Sequence, residues 1–252
     1  MKAKVYGVDG KESGELALPP VFSTDYREEI IRRAVLAEES KLFQPKGSYR
    51  WAGLETSARY IGRKEAYATL KNRGQSRLPR EFFGGGVPGR VRYIPSAVSG
   101  RRAHPPKPTK KLAEKINKKE HDLALRSAIG ATANKELVIA RGHKIDGDVP
   151  IIIEGNISKT KELYSLFSKL FPADLERASI KRGRNKKHPK TALVVAGKEE
   201  LSIVKAASNI AGADATTTAL LKVKDLAPGT HAGRLTVFTK KAIEELSKRW
   251  NE

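Results

Sequence analysis

Hydrophobic and polar positions follow three different rules along this chain. Within residues 1–44, Lys4-Val5-Tyr6-Gly7-Val8 reads as a short strand, and Asp9-Gly10 as the turn that ends it. Ile30, Ile31, Ala34 and Val35 then recur at helical spacing and predict a helix reaching Leu42, capped by Ser23, Thr24 or Asp25. Within residues 45–111 aliphatic side chains are sparse and have no period. From residue 112 the rhythm returns. Leu125, Ala128, Ile129 and Thr132 share one face of a helix that Asn117 can cap. Strands are predicted at Leu137–Ala140, Pro150–Glu154, Thr191–Ala196, Thr218–Val223 and Leu235–Phe238, with helices starting near Ser158, Lys198 and Thr239.

Ile151-Ile152-Ile153 and Leu193-Val194-Val195 are continuously apolar rather than alternating. Strands covered on both faces need that pattern, as in a parallel sheet with crossover helices. The expected fold class is therefore α/β: an open, mostly parallel, Rossmann-like sheet with flanking helices. Residues 1–44 and 112–252 form this globular domain, and residues 45–111 are inserted into it as a long extended basic loop. No internal repeat is visible.

Charge sharpens the division. The chain of 252 residues carries 49 Lys and Arg against 28 Asp and Glu, a net +21. Residues 45–111 hold sixteen of the Lys and Arg but only three acids (Glu55, Glu65 and Glu81), so +13 of the net charge lies in that stretch. Seven of the 13 prolines and nine of the 21 glycines also lie there. A segment of this kind buries too little apolar surface to offset its conformational entropy, so it is expected to protrude and to need a partner for order. A concentrated positive charge repels itself in a compact state, and a polyanion is the natural reason to keep it.

The same segment contains seven aromatic residues: Tyr49, Trp51, Tyr60, Tyr67, Phe82, Phe83 and Tyr93. Interleaved with arginines, they suit base stacking or packing into RNA crevices. For Trp51 and Tyr60, anchoring the loop to its own domain is an equal alternative. Arginine's planar fork matches phosphate oxygens and also stacks on bases. The RNA-binding candidates on the outgoing stretch are Lys46, Arg50, Arg59, Arg63, Lys64, Lys71, Arg73, Arg77 and Arg80. On the return stretch they are Arg90, Arg92, Arg101, Arg102, Lys107, Lys110 and Lys111, with His104 among them. A second basic block, residues 181–190, adds Lys181, Arg182, Arg184, Lys186 and Lys187 as phosphate clamps; the alternative for that block is a solvated loop.

Catalytic chemistry finds little support. The chain has no cysteine, which removes disulfides, thiolate nucleophiles and the usual structural zinc sites. His104, His121, His143, His188 and His231 show no metal-ligand spacing and sit in no nucleophile motif, so no metal and no cofactor are expected. Gly84-Gly85-Gly86-Val87-Pro88-Gly89 lacks the Gly-Lys-Ser/Thr that a phosphate-cradling loop needs. Gly155 and Gly197 each follow a strand, but neither belongs to a dinucleotide fingerprint. The N-terminal stretch has no apolar core of a secretory signal, and no run approaches the length of a membrane helix, so a cytoplasmic protein with no membrane partner is expected.

Three segments resemble ribosomal large-subunit protein four in its archaeal and eukaryotic branch. They are Ser99-Gly-Arg-Arg-Ala-His-Pro-Pro-Lys107; Arg126-Ser-Ala-Ile-Gly-Ala-Thr-Ala133; and Asn209-Ile-Ala-Gly-Ala-Asp214, continued by Asp225-Leu-Ala-Pro-Gly229 and Gly233-Arg-Leu-Thr-Val-Phe-Thr239. Their order makes the resemblance specific, and it runs from end to end of the chain. It implies a structural, non-enzymatic protein of the large ribosomal subunit. The globular domain would lie against large-subunit ribosomal RNA, and the long loop would thread to the wall of the polypeptide exit tunnel. There its tip would form a constriction together with large-subunit protein twenty-two. On this chain, Tyr49 to Arg73 and Arg90 to Lys111 would be the legs and Gly74 to Gly89 would lie near the tip, with Arg73, Gln75, Arg77, Leu78 and Arg80 as tip candidates. The alternatives from other classes are an RNA-processing α/β enzyme and a free regulatory RNA-binding protein.

Overall fold

The structure is a computed structural model and describes residues 1–85, 87–154, 157–180 and 188–250. It divides into two compact units: Met1–Leu42 with Ala113–Glu252, and Phe43–Leu112. In chain order the elements are β1 (Lys2–Tyr6), β2 (Glu12–Ala17), a 3-10 turn (Pro20–Ser23), α1 (Glu28–Ser40), β3 (Arg80–Phe82), β4 (Pro88–Val91), α2 (Lys118–Thr132), α3 (Lys135–Ala140), β5 (Ile151–Ile153), α4 (Thr160–Leu170), α5 (Pro172–Ser179), β6 (Leu193–Ala196), α6 (Leu201–Ala207), β7 (Asp214–Thr217), α7 (Val223–Leu226), β8 (Thr236–Thr239) and α8 (Lys240–Trp250).

The larger unit is built on one sheet with the order β2-β1-β5-β8-β6-β7. All neighbours are parallel except the edge pair β1–β2. The continuous apolar runs are divided between its two faces. Ile152, Leu193, Val195 and Phe238 pack with α1, α2, α7 and α8. Ile151, Ile153, Val194 and Val237 pack with α4, α5 and α6 on the other side. The structure is thus the helix–sheet–helix α/β fold that the runs implied.

The larger unit joins its own ends across the segment that leaves it. Ser40 Oγ accepts the backbone N–H of Glu114 at 2.9 Å. The start of α1 is fixed from outside the helix. None of the three expected cap residues serves; Ser127 Oγ accepts the N–H of Arg27 (2.8 Å) and donates to the carbonyl of Asp25 (2.8 Å). Gly130, one turn on, lies under the same segment, and a Cβ there would stand 2.6 Å from the carbonyl oxygen of Thr24. Asn117 precedes α2 without a side-chain capping bond.

Several expected elements change. Leu137–Ala140 is helical, within α3, because Asn134 caps it by accepting the N–H of Glu136 at 3.0 Å, and only Val138 is buried. The strand expected at Thr218–Val223 lies earlier, at β7, and Val223 opens α7. β2 has no apolar run, since it is an exposed edge strand held by its register on β1. The helix beginning near Ser158 is broken in two at Phe171, where Pro172 starts α5. Among the described residues no helix is long and apolar enough to cross a membrane.

The smaller unit contains the hairpin β3–β4, where no regular structure was expected. Arg59 also bridges Arg80, with N–H to carbonyl distances of 3.1 and 3.2 Å. Phe82 pairs with Pro88 and Arg80 with Val91. Only Ala68, Thr69 and Leu70 are buried among its described residues.

Candidate nucleic-acid interface

In the smaller unit, the outgoing and returning stretches approach each other at two glycines. A Cβ on Gly47 would meet Pro108 Cδ at 3.1 Å. Gly53 has φ +73°, and a Cβ there would lie 2.6 Å from Arg101 Cα and 2.8 Å from its nitrogen. Position 53 therefore requires glycine twice over: for its backbone conformation and for the space the other stretch occupies. Further along, Leu70 N–H donates to Ile61 O (2.9 Å) and Arg101 N–H to Tyr93 O (3.4 Å).

This backbone leaves its cations outside. Lys46, Arg50, Arg59, Arg63, Lys64, Lys71, Arg73 and Arg77 are exposed, as are Arg90, Arg101, Arg102, His104, Lys107, Lys110 and Lys111. Arg80 and Arg92 are half-buried and serve the hairpin. Arg80 donates to Ser76 Oγ (2.9 Å) and to Gly89 O (3.4 Å), and Arg92 Nε lies 3.2 Å from Glu81 Oε1. Of the other tip candidates, Gln75 is exposed and Leu78 half-buried. The chain reverses twice in this region, between Arg59 and Arg80 and again between β3 and β4.

The aromatic rings divide in the same way. Tyr67 and Phe83 are 78% and 77% exposed, far more than a packed ring would be, and Tyr49, Trp51, Tyr60 and Tyr93 are also exposed. Phe82 is half-buried. Arg50 lies 5.7 Å from the Trp51 ring centroid. Tyr49 donates to Glu55 Oε1 at 2.5 Å, and that bond raises its pKa. Guanidinium groups and uncovered ring faces on an extended backbone can hold phosphates and stack on bases.

Lys181, Arg182, Arg184, Lys186 and Lys187 lie outside the described residues, as does Gly86. The residues flanking that block are tied to the larger unit by hydrogen bonds. His188 Nδ1 is 2.8 Å from Ala178 O, and Arg177 donates to Lys190 O at 2.8 Å. Behind them is a buried polar network that the sequence reading missed. Asp174, fully buried, accepts from Arg177 Nε (2.9 Å), Thr191 Oγ1 and the backbone of Lys144 (3.2 Å), and His143 Nδ1 lies 3.2 Å away. Burial opposes ionisation of Asp174, but the bonds from His143, Arg177 and Thr191 outweigh it and hold the carboxyl well below the usual carboxylate range. Burial lowers the pKa of His143 despite Asp174. Arg234 is buried too, donating to Thr191 O (2.9 Å), Asp225 O (2.9 Å) and Asp214 Oδ2 (2.6 Å). An arginine directly before an apolar strand was the available sequence signal.

At the carboxyl end of β6, on the side of the sheet where α/β folds commonly bind ligands, the protein's own side chains engage the first backbone donors beside a cavity of about 410 Å³. Glu200 and Thr239 accept the N–H of Gly197 at 3.0 and 3.3 Å. Glu245 accepts the N–H of Lys198 at 2.9 Å and the hydroxyl of Thr218. Among the described residues, the donors of Gly197 and Lys198 that could cradle a phosphate are thus already engaged. Among the described residues no group of three or more His, Cys, Asp or Glu is placed to hold a metal ion.

Comparison with known proteins agrees with the resemblance. The profile of the Ribosomal protein L4/L1 family matches residues 16–249. The large ribosomal subunit protein uL4 of Methanococcus vannielii is 45% identical over 99% of this chain and 100% of its own length. Its counterparts from Methanocaldococcus jannaschii and Archaeoglobus fulgidus are 43% and 42% identical, over 99% and 98% of this chain and 100% and 99% of theirs. With relatives this similar along their whole length, the chain belongs to the Ribosomal protein L4/L1 family, on its archaeal branch.

Proposed function

We propose that this protein is a structural constituent of the large ribosomal subunit, bound to large-subunit ribosomal RNA and located in the cytoplasm on the ribosome. Family membership supports a structural rather than a catalytic role. The observation that carries the reading is the smaller unit: an extended backbone with almost no interior and an outward fringe of arginine, lysine and uncovered aromatic rings. Such a surface is suited to a polyanion that surrounds it. In this reading residues 45–111 are the loop that lines part of the polypeptide exit tunnel. Tyr49 to Arg73 and Arg90 to Lys111 are its legs, and Arg73, Gln75, Arg77, Leu78 and Arg80 are near its tip, where protein twenty-two is the neighbour. The basic residues of both legs, with Lys181, Arg182, Arg184, Lys186 and Lys187, bind RNA. The engaged donors of Gly197 and Lys198 weigh against an RNA-processing enzyme on the same sheet.

Sedimentation of the native protein from its source cells tests the assignment. The protein should co-migrate with large subunits and remain with them through a moderate salt wash. Recovery in the free fraction alone would overturn it.

A further inference from the structure

A second group of cations lies on the larger unit and includes none of the residues assigned above. The outer face of α2 carries Lys118, Lys119, Leu123 and Arg126, opposite the buried Ala124, Leu125, Ala128 and Ile129. With Asp122 these residues line a cavity of about 480 Å³. The last turn of α8 lies alongside. The Arg249 guanidinium is 4.6 Å from the Trp250 ring centroid and that of Arg126 is 5.9 Å from it, so one indole, itself buried, carries two cations. Lys248 and Arg249 are exposed.

Among the described residues, the two acids of α2 here, Asp122 and Glu120, are already committed. Asp122 accepts from Arg126 Nε (3.0 Å) and Trp250 Nε1 (3.2 Å), with Arg249 at 3.9 Å. Glu120 pairs with Arg33 at 2.9 Å. Asp122 thus fixes the ring and the guanidinium groups in place rather than cancelling the patch. Helix electrostatics account for only two of these five cations. Lys248 and Arg249 suit the C-terminal turn of α8, but Lys118 and Lys119 occupy the first turn of α2, where the macrodipole disfavours positive charge. A local preference broken at the surface points to a ligand that compensates for it.

We propose that this α2–α8 face is a docking surface for the phosphate backbone of an RNA, centred on Lys118, Lys119, Arg126, Lys248 and Arg249. The occupant is chosen by charge: several cations from two helices, those of α2 lining a cavity and Arg126 and Arg249 set by Asp122 and Trp250, complement a line of phosphates. The proposal rests on the RNA-binding reading above. It adds an anchor on the folded unit that works independently of residues 45–111 and 181–190.

The test is binding of the full chain to purified archaeal large-subunit ribosomal RNA across a salt series. The Lys118→Gln, Lys119→Gln, Lys248→Gln triple variant should lower the slope of log affinity against log salt by roughly 2 to 3, at about 0.7–0.9 for each phosphate no longer neutralised. A control triple, Lys11→Gln, Lys161→Gln, Lys205→Gln, removes equal charge from exposed sites elsewhere on the unit and should leave the slope unchanged. Lysine acetylation of the wild-type chain in complex gives a check free of any folding defect, since Lys118, Lys119 and Lys248 should be protected. A wild-type chain that binds, with an unchanged slope in the test variant, an equal loss in the control, or free acetylation at these lysines, overturns this surface alone and leaves the face to a protein neighbour. A wild-type chain that does not bind the RNA overturns the functional reading and this surface together.

Discussion

The two units hold their shape by opposite means. The larger unit covers both faces of a sheet with helices, and every residue of its central strands β5, β6 and β8 is buried. The smaller unit, 43–112, buries Leu70 and Ala68 and little else. One buried leucine contributes about 1.5–3 kcal/mol, whereas ordering backbone costs about 1–2 kcal/mol for each residue. The same chain therefore contains a region that folds on its own hydrophobic surface and one that buries too little of it to account for its own order. The difference in charge density is the other side of this, because cations occupy the positions that core residues would otherwise fill.

The sharpest expression of that dependence is salt. If the smaller unit is held by about ten phosphates, log affinity for the RNA should fall against log salt with a slope of roughly −7 to −9. A titration giving a slope near −2 would show that most of these cations are spectators and would erase the contrast between the units.

The larger unit should instead be vulnerable from within. Asp174→Ala leaves His143, Arg177 and Thr191 without their shared acceptor, and breaking a buried pair of this kind costs about 3–5 kcal/mol. Thermal melting should show that loss, and an unchanged midpoint would mean the network is dispensable.

Acid should expose the same dependence in graded form. His143 is held neutral, with a folded pKa below its ordinary 6.5, so the unfolded chain takes up a proton first and stability starts to fall as pH drops below about 6.5. Asp174, depressed below its ordinary 3.8, adds a second loss as pH falls below about 4. Denaturant midpoints across this range should decline in both steps, and His143→Gln should flatten the first.

Removing residues 50–106 should matter far less to the fold. The sheet and its helices lie outside that span, and the Ser40–Glu114 bond keeps the ends together. Circular dichroism should show cooperative unfolding with a midpoint close to that of the full chain. Loss of the folded state would show that the smaller unit supports the larger one.

The smallest effect on stability, and the most selective on function, belongs to Arg73→Ala with Arg77→Ala. Both are exposed, unlike Arg80, whose loss would also disturb the hairpin. Melting and subunit assembly should be nearly unchanged, while stalling peptides or tunnel-lodging drugs should act differently. Failed assembly without a selective effect on stalling would count against a tunnel role for this stretch.

The parts of this molecule that depend on burial were legible in the sequence. Ile151–Ile153 and Leu193–Ala196 announced a sheet covered on both sides because every residue in them has a neighbour above or below. Elements fixed by a partner strand or by a polar bond were not. β7, with sequence Asp-Ala-Thr-Thr, is a strand because β6 lies beside it. α3 contains Leu-Val-Ile, a strand-like run, and Asn134 decides in favour of helix. At the interface, composition indicated the exposed cations, but it could not separate Arg80 and Arg92, which face the hairpin, from Arg77 and Arg90, which do not. Nor could it link Asp174 to Thr191, which meet only through the fold.

The position of β8 has a consequence in time. It is the last strand synthesised, yet it lies in the middle of the sheet, joining β5 to β6. Until it is made, β2-β1-β5 and β6-β7 have no strand between them, and the inner edges of β5 and β6 lack their partner. Residues 43–112 precede it, and the 127 residues from 113 to 239 must follow before the sheet can close. At about 5–20 residues per second, that leaves a strongly basic stretch attached to an unfinished fold for roughly 6 to 25 seconds. A chain that stops short of Thr236 loses the strand joining the two halves of the sheet, so early termination near the end of the message should be as damaging as termination far upstream.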